Sequence, residues 1–192
     1  MKIALTGGIG SGKSFVCRLL EKRGLKVYDC DAAAKRLMRT SEDLKQQLCN
    51  LIGPEAYTPE GLLNKAEVAR FLLLSEGNAS AVDAIVHPAV ARDFEQSGYA
   101  WMECAILYES GFDRLVDRVV AVCAPTEVRL QRIMARDAIS RQRALEWLAR
   151  QWPQEEVCRR ADYVIDNDGR KDLDAQLDSL CKEWALTDSL AL

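Results

Sequence analysis

Near the start of the chain, Gly7 to Ser14 read GGIGSGKS and satisfy the spacing G-x-x-x-x-G-K-[ST] with Gly7, Gly12, Lys13 and Ser14. The motif follows a short strand-like run, Lys2 to Leu5, and opens an amphipathic stretch, Ser14 to Lys22. That order matters physically. Glycines let successive backbone N–H groups converge on an anion, and the positive end of the following helix adds its dipole. Such a loop belongs at the carboxyl edge of a parallel sheet, so it constrains the fold as well as the ligand.

The expected ligand is the phosphate chain of ATP. Gly8, Ile9, Gly10, Ser11, Gly12, Lys13, Ser14 and Phe15 are expected around it. Lys13 should reach the β- and γ-phosphates, and the Ser14 hydroxyl should ligate the Mg²⁺ that bridges them.

Apolar runs at Ile3 to Leu5, Leu25 to Tyr28, Trp101 to Leu107, Val119 to Cys123 and Tyr163 to Ile165 are too short for helices. Several are rich in β-branched residues, which predicts five buried strands. Helical patterns lie between them at Ser14 to Lys22, Thr126 to Arg136 and Leu173 to Trp184. Alternation of this kind predicts an α/β fold, a P-loop kinase core with a five-stranded parallel sheet flanked by helices. The stretch 32–98 offers helix starts at Ser41, at Asn64 with Glu67 three residues on, and near Asn78, with no convincing strand. It is expected to be a helical acceptor-binding insertion. A polar, Arg-rich helical stretch, 137–160, is expected to form a small lid, leaving 1–31, 99–136 and 161–192 as the nucleotide-binding core of a single catalytic chain.

The net charge of -3 argues against a broad grip on nucleic acid, because backbone binders concentrate Lys and Arg. A phosphate site must therefore be local. Seven cysteines, Cys17, Cys30, Cys49, Cys104, Cys123, Cys158 and Cys181, are scattered and never spaced as C-x-x-C. They predict neither a disulfide framework nor a zinc cluster, but reduced and mostly buried thiols. No stretch approaches the ~18 apolar residues of a membrane span, so no membrane partner and a cytoplasmic location are expected. Oligomeric state is left open, a monomer included.

The kind of P-loop protein follows from what accompanies the loop. A GTPase needs a guanine-reading N-K-x-D after a strand, whereas Asn64-Lys65-Ala66-Glu67 lies on a helical pattern. A small-molecule kinase needs an acid to orient the acceptor hydroxyl and arginines over the transferring group. Asp29 and Asp31 lie just past the second strand, and either can also cap the following helix. Arg129, Arg132 and Arg136 recur at three- and four-residue spacing and share one helix face, with Arg132 and Arg136 the candidates for the phosphoryl group. Two readings stay open on the residues alone: a small-molecule P-loop kinase, such as one for a nucleoside or monophosphate, and a nucleotide-gated binding protein without transfer chemistry.

Leu5 to Ser14, Asp29-Cys30-Asp31, His87-Pro88, Ala105 to Gly111, the stretch with Arg132 and Arg136, and Ala161 to Gly169 together resemble the dephospho-coenzyme A kinase family along nearly the whole chain. The resemblance implies transfer of the ATP γ-phosphate to the ribose 3′-hydroxyl of dephospho-CoA. It implies Asp31 as catalytic base, His87 with Asp31 at the acceptor, and Asn167 in a loop near the adenine. The chain departs from the family pattern at Phe15, Lys35, Ala105 and Trp147; the last stands where the lid often carries an arginine.

Overall fold

The structure, a computed structural model, describes residues 1–186. The expected core stretch therefore runs past them, and 187–192 lie outside the described residues. The chain divides into two compact units, one formed by residues up to Tyr28 together with those from Tyr99 onward, the other by Asp29–Gly98.

The first unit is built on a sheet in the order β2-β3-β1-β4-β5, with β1 Ile3–Thr6, β2 Val27–Asp29, β3 Trp101–Glu103, β4 Arg118–Cys123 and β5 Tyr163–Asp166. The β1–β3, β1–β4 and β4–β5 pairs are parallel. All four residues of β1 are buried, as a central strand covered on both faces requires. Its neighbours α1 (Lys13–Lys22) and the last described helix close one core, in which Val16, Leu19 and Leu20 pack with Ile3, Leu5, Val120, Ile165, Leu177 and Leu180. The five-stranded parallel sheet flanked by helices is the architecture that the alternation predicts.

β3 is shorter than the apolar run suggests. The run reaches Leu107, but the strand ends at Glu103. The Cys104 N–H still donates to Leu5 O, after which the chain coils on itself through Ser110 N–H to Ile106 O and Phe112 N–H to Leu107 O. Leu107 is buried by that turn and not by a sheet, so hydrophobicity alone could not separate the two.

The expectation of seven reduced thiols also needs correction. Cys123, at the end of β4, and Cys158 are joined as a disulfide, while Cys17, Cys30, Cys49, Cys104 and Cys181 are free. The helix that carries Cys158 packs Val157 against Ala121 and Cys123, which brings the sulfurs together across 35 residues. No local spacing could announce that pairing.

The second unit holds α2 (Cys30–Thr40), α3 (Glu42–Ile52), α4 (Lys65–Leu74) and α5 (Glu76–Ser97). The Ser41 and Asn64 side chains accept from Leu44 and Glu67 N–H groups, so the cap signals mark real helix starts. The third start lies slightly earlier than expected, with Ser75 capping at Gly77 N–H. Between α3 and α4 the chain forms a lone antiparallel bridge, Tyr57 with Leu63. The Tyr57 hydroxyl donates to Met38 O at 2.7 Å.

Burial, followed by the nearby Cys49 and Glu42, pushes the Tyr57 hydroxyl up to about 12 from 10.0. A phenol that ionises later in the folded state contributes stability that is complete below the unfolded value and is lost as pH rises toward the folded one. Thermal melts should therefore fall between about pH 10 and pH 12 more steeply for the wild type than for Tyr57→Phe. Parallel alkaline profiles for the two would remove Tyr57 as the cause.

Candidate active site

α6 (Thr126–Asp137) follows β4, and α7 (Arg141–Ala149) and α8 (Gln154–Arg160) lead back to β5. These elements and β1 converge on the loop between β1 and α1. Two glycines there are constrained by geometry. Gly7, at φ 139°, lies so close to β4 that a Cβ would sit 2.3 Å from Val122 O. Gly12, at φ 95°, would place a Cβ 2.1 Å from Asn167 Nδ2. Neither position accepts a side chain without moving its neighbour.

The loop's carbonyl oxygens are held by side chains from outside it. Lys13 Nζ donates to Gly7 O at 2.7 Å, and Arg129 Nε to Ile9 O at 2.9 Å. Arg132 donates through Nη1 to Ser11 O and Gly10 O at 3.2 and 3.4 Å, and through Nη2 to Asn167 O and Oδ1. Asn167 Nδ2 donates to Ser11 O at 2.8 Å, while the Asn167 N–H donates to Cys123 O. On the donor side of the loop, Ile9 N–H is accepted by Gln151 Oε1 at 2.7 Å.

Lys13 is buried, and its ammonium lies 3.9 Å from the Glu103 carboxylate at the end of β3. Burial lowers the Lys13 pKa, and the Glu103 charge pulls it partly back. Burial likewise lowers that of Arg129, against a smaller upward pull from Glu155. A pocket of about 520 Å³ opens over the loop, lined by Gly10, Gly12, Lys13 and Ser14 below and by Arg132, Arg136 and Gln151 from the α6 to α8 side. Arg136 is salt-bridged to Asp137, and Phe15 is half exposed with the Arg18 guanidinium over its ring. Gly8 belongs to the same loop, where an added Cβ would meet Arg129 Nη2 at 2.3 Å.

The remaining sequence candidates lie in the second unit. Asp29 caps α2, accepting from Ala32 N–H at 2.9 Å. Asp31 stands in the first turn of α2, exposed and salt-bridged to Lys35. His87 Nε2 lies 3.5 Å from Asp83 on α5, next to Pro88 inside that helix.

Glu103 and Gln151 are the two site residues that sequence reasoning missed. Glu103 was hidden inside the apolar run; an acid closing a strand beside the P-loop strand was the available signal. Gln151 carries no motif that this sequence alone reveals.

Comparison with known proteins extends the likeness beyond this loop. The family model described as dephospho-CoA kinase matches residues 1–172. The chain belongs to the dephospho-CoA kinase family. A dephospho-CoA kinase of Bacteroides fragilis (strain YCH46) is 42% identical over 184 residues, 92% of this chain and 89% of that protein. A crystal structure from Thermus thermophilus superposes with a TM-score of 0.80 at 35% identity, covering 95% of this chain and 97% of its own. The dephospho-CoA kinase of Campylobacter jejuni shares the fold, with a TM-score of 0.68 at 22% identity over 98% of this chain and 100% of that one.

In this family member the loop's shape rests on Asn167 as well as on glycine. Asn167→Ala removes the Nδ2 donor to Ser11 O, a buried bond, and an acceptor for Arg132 in a half-buried one. Loss of such bonds should lower unfolding free energy by roughly 1–3 kcal/mol, read from the denaturant midpoint. An unchanged midpoint would mean that the arginine alone holds the loop.

Proposed function

We propose that this protein transfers the γ-phosphate of ATP to the ribose 3′-hydroxyl of dephospho-CoA, giving CoA and ADP. The observation that carries the reading is the extent of the family match. A glycine loop alone is common to many ATPases, but residues 1–172 span the second unit as well as the loop. ATP and dephospho-CoA are the substrates in this reading. A cytoplasmic setting suits a reaction that draws on both, and no helix among the described residues is long and apolar enough to cross a membrane.

Phosphoryl transfer passes through a loose transition state, so the protein's work is positioning and charge stabilisation. The loop from Gly8 to Phe15 cradles the phosphates through those of its amides that Gln151 Oε1, Gly8 O and Gly12 O do not already take, with the N-terminus of α1 adding its dipole. Lys13, held at the loop by Gly7 O, carries the buried positive charge that neutralises the β- and γ-oxygens. Arg132 and Arg136 line the same pocket on its α6 side, and they are the candidates for the charge of the transferring group. Arg132 donates to the loop and to Asn167, so its charge is fixed in place. Asn167, assigned to the ATP site, acts through the shape it gives the loop at Ser11.

Mg²⁺ fits the donors present. Ser14 lines the pocket, and the Glu103 carboxylate is close to Lys13; a hydroxyl and a carboxylate are hard oxygen donors of the kind Mg²⁺ takes. No group of three or more His, Cys, Asp or Glu among the described residues makes a cage for a metal. Mg²⁺ held by one hydroxyl, waters and substrate phosphates is consistent with that. When bound, it neutralises charge across the β- and γ-phosphates.

On the acceptor side Asp31 accepts the hydrogen bond of the ribose 3′-hydroxyl and takes its proton late in the transfer. His87 helps hold the acceptor. Asp29 is the weaker candidate for the base, because its carboxylate is already committed to Ala32 N–H.

ADP release from MgATP should rise strongly with dephospho-CoA and not with nucleosides, nucleoside monophosphates or buffer, with the product phosphorylated at the 3′-hydroxyl. Stimulation by a different acceptor would move the substrate assignment and leave the fold. Lys13→Ala and Asp31→Asn should each lower turnover by at least ~10²-fold. Near-normal turnover of Asp31→Asn would hand the acceptor hydroxyl to another group.

A further inference from the structure

Gln151 lies between α7 and α8, far from the glycine loop in sequence, yet its side chain reaches that loop. The Ile9 N–H points at it from 2.7 Å. Because an N–H is a donor, only the carboxamide oxygen can face it, and this fixes which end of the side chain is which. The Nε2 amine then carries two donors on the other side of the group. Among the described residues it has no hydrogen-bond partner, and Gln151 lines the pocket over Lys13 and Ser14.

The backbone beneath this side chain is anchored. The Gln151 N–H donates to Leu148 O at 3.2 Å. The next residue, Trp152, stacks on Tyr108 with ring centroids 5.8 Å apart and 14° between planes, and the Arg160 guanidinium covers it at 4.6 Å. A carboxamide fixed at its oxygen and anchored through its neighbour has little conformational freedom left to lose when its amine finds an acceptor. The next peptide along the loop is held too, by Arg129 at Ile9 O.

We propose that Gln151 is a phosphate-contacting residue, whose Nε2 donates to an oxygen of the terminal phosphate of ATP while Oε1 holds Ile9. Two observations select the terminal phosphate. Gln151 arrives from the side of the pocket that also presents Arg132 and Arg136, the groups assigned above to the transferring phosphoryl. Its anchor is Ile9, early in the motif and away from the helix N-terminus at Gly12 and Lys13. A neutral amide donor there distinguishes a nucleoside triphosphate from its diphosphate product without adding a charge that would slow product release. The inference rests on the kinase reading of the site and adds a residue to it.

The test is nucleotide binding by calorimetry without acceptor, comparing MgADP with a non-hydrolysable ATP analogue, for wild type, Gln151→Leu and Gln151→Glu. Gln151→Leu removes both ends of the carboxamide. Gln151→Glu keeps an oxygen for Ile9 N–H and puts an anion where the donor was. In Gln151→Leu the analogue should lose about tenfold or more affinity beyond whatever ADP loses with the Oε1 brace to Ile9, as for a lost hydrogen bond to a charged group. Gln151→Glu should bind the analogue no better than Gln151→Leu. Equal weakening of ADP and analogue, recovery in Gln151→Glu, or no change in either variant would overturn the proposal and leave Gln151 a brace for the loop. Thermal melts identify a Gln151→Leu protein that has not folded, in which case Gln151→Glu decides alone: wild-type affinity for the analogue, or ADP weakened as much as the analogue, overturns the contact. A wild type that binds neither nucleotide would overturn the kinase reading itself.

Discussion

A loop that turns its backbone N–H groups toward one point turns its carbonyl oxygens away from it. Buried carbonyls need donors, and the surrounding elements must supply them. Here they come from Lys13, Arg129, Arg132 and Asn167, four side chains on α1, α6 and the end of β5. The positions of those elements follow from this requirement. β5 must lie beyond β4 for Asn167 to reach Ser11, and α6 must begin at the edge of β4 for two of its arginines to face the loop, as the observed strand order provides. The close approach of Gly7 to Val122 closes the same arrangement from below.

These donors also solve an electrostatic problem. The chain is acidic as a whole, with a net charge of -3, yet its proposed ligand is polyanionic. The solution is local. Lys13 and Arg129 are buried beside the loop, where a charge is costly to desolvate but interacts strongly with what enters. The cost is visible in the downward pull that burial exerts on both groups. Glu103 offsets it for Lys13, and hydrogen bonds to the loop carbonyls hold both cations in place. Bonds to the loop leave these cations little freedom, which is what electrostatic preorganisation requires.

The sequence spoke most clearly where chemistry is local. The glycine loop, the strand before it and the helix after it occupy consecutive residues, and the Ser41 and Asn64 caps lie within three residues of the amides they accept. The five strands were legible as short apolar runs, although β3 came out too long because a buried turn and a buried strand share a composition. What stayed hidden joins residues far apart. The Cys123–Cys158 bond, the Lys13–Glu103 pair and the Ile9–Gln151 bond are each made by packing of separate elements. Periodicity and spacing report a residue's own element, and none of them reports which residue on another element will face it. The family resemblance filled part of that gap by extending the reading along the whole chain.

The D-x-D element shows how local structure can separate two chemically identical groups. Asp29 and Asp31 are two residues apart and both carry carboxylates. Asp29 sits in extended backbone at the N-cap, where its oxygen satisfies Ala32 N–H and fixes the start of α2. Withdrawing it for chemistry would leave that amide unpaired. Asp31, one residue inside the helix, has no such duty. Its side chain is 75% exposed and its partner is the flexible Lys35 ammonium one turn on, an ion pair in contact with water. Pairs of that kind contribute little to stability and exchange readily. A substrate hydroxyl therefore competes with a weak partner at Asp31 and with a structural one at Asp29. That difference is what favours the second aspartate over the first as the proposed base.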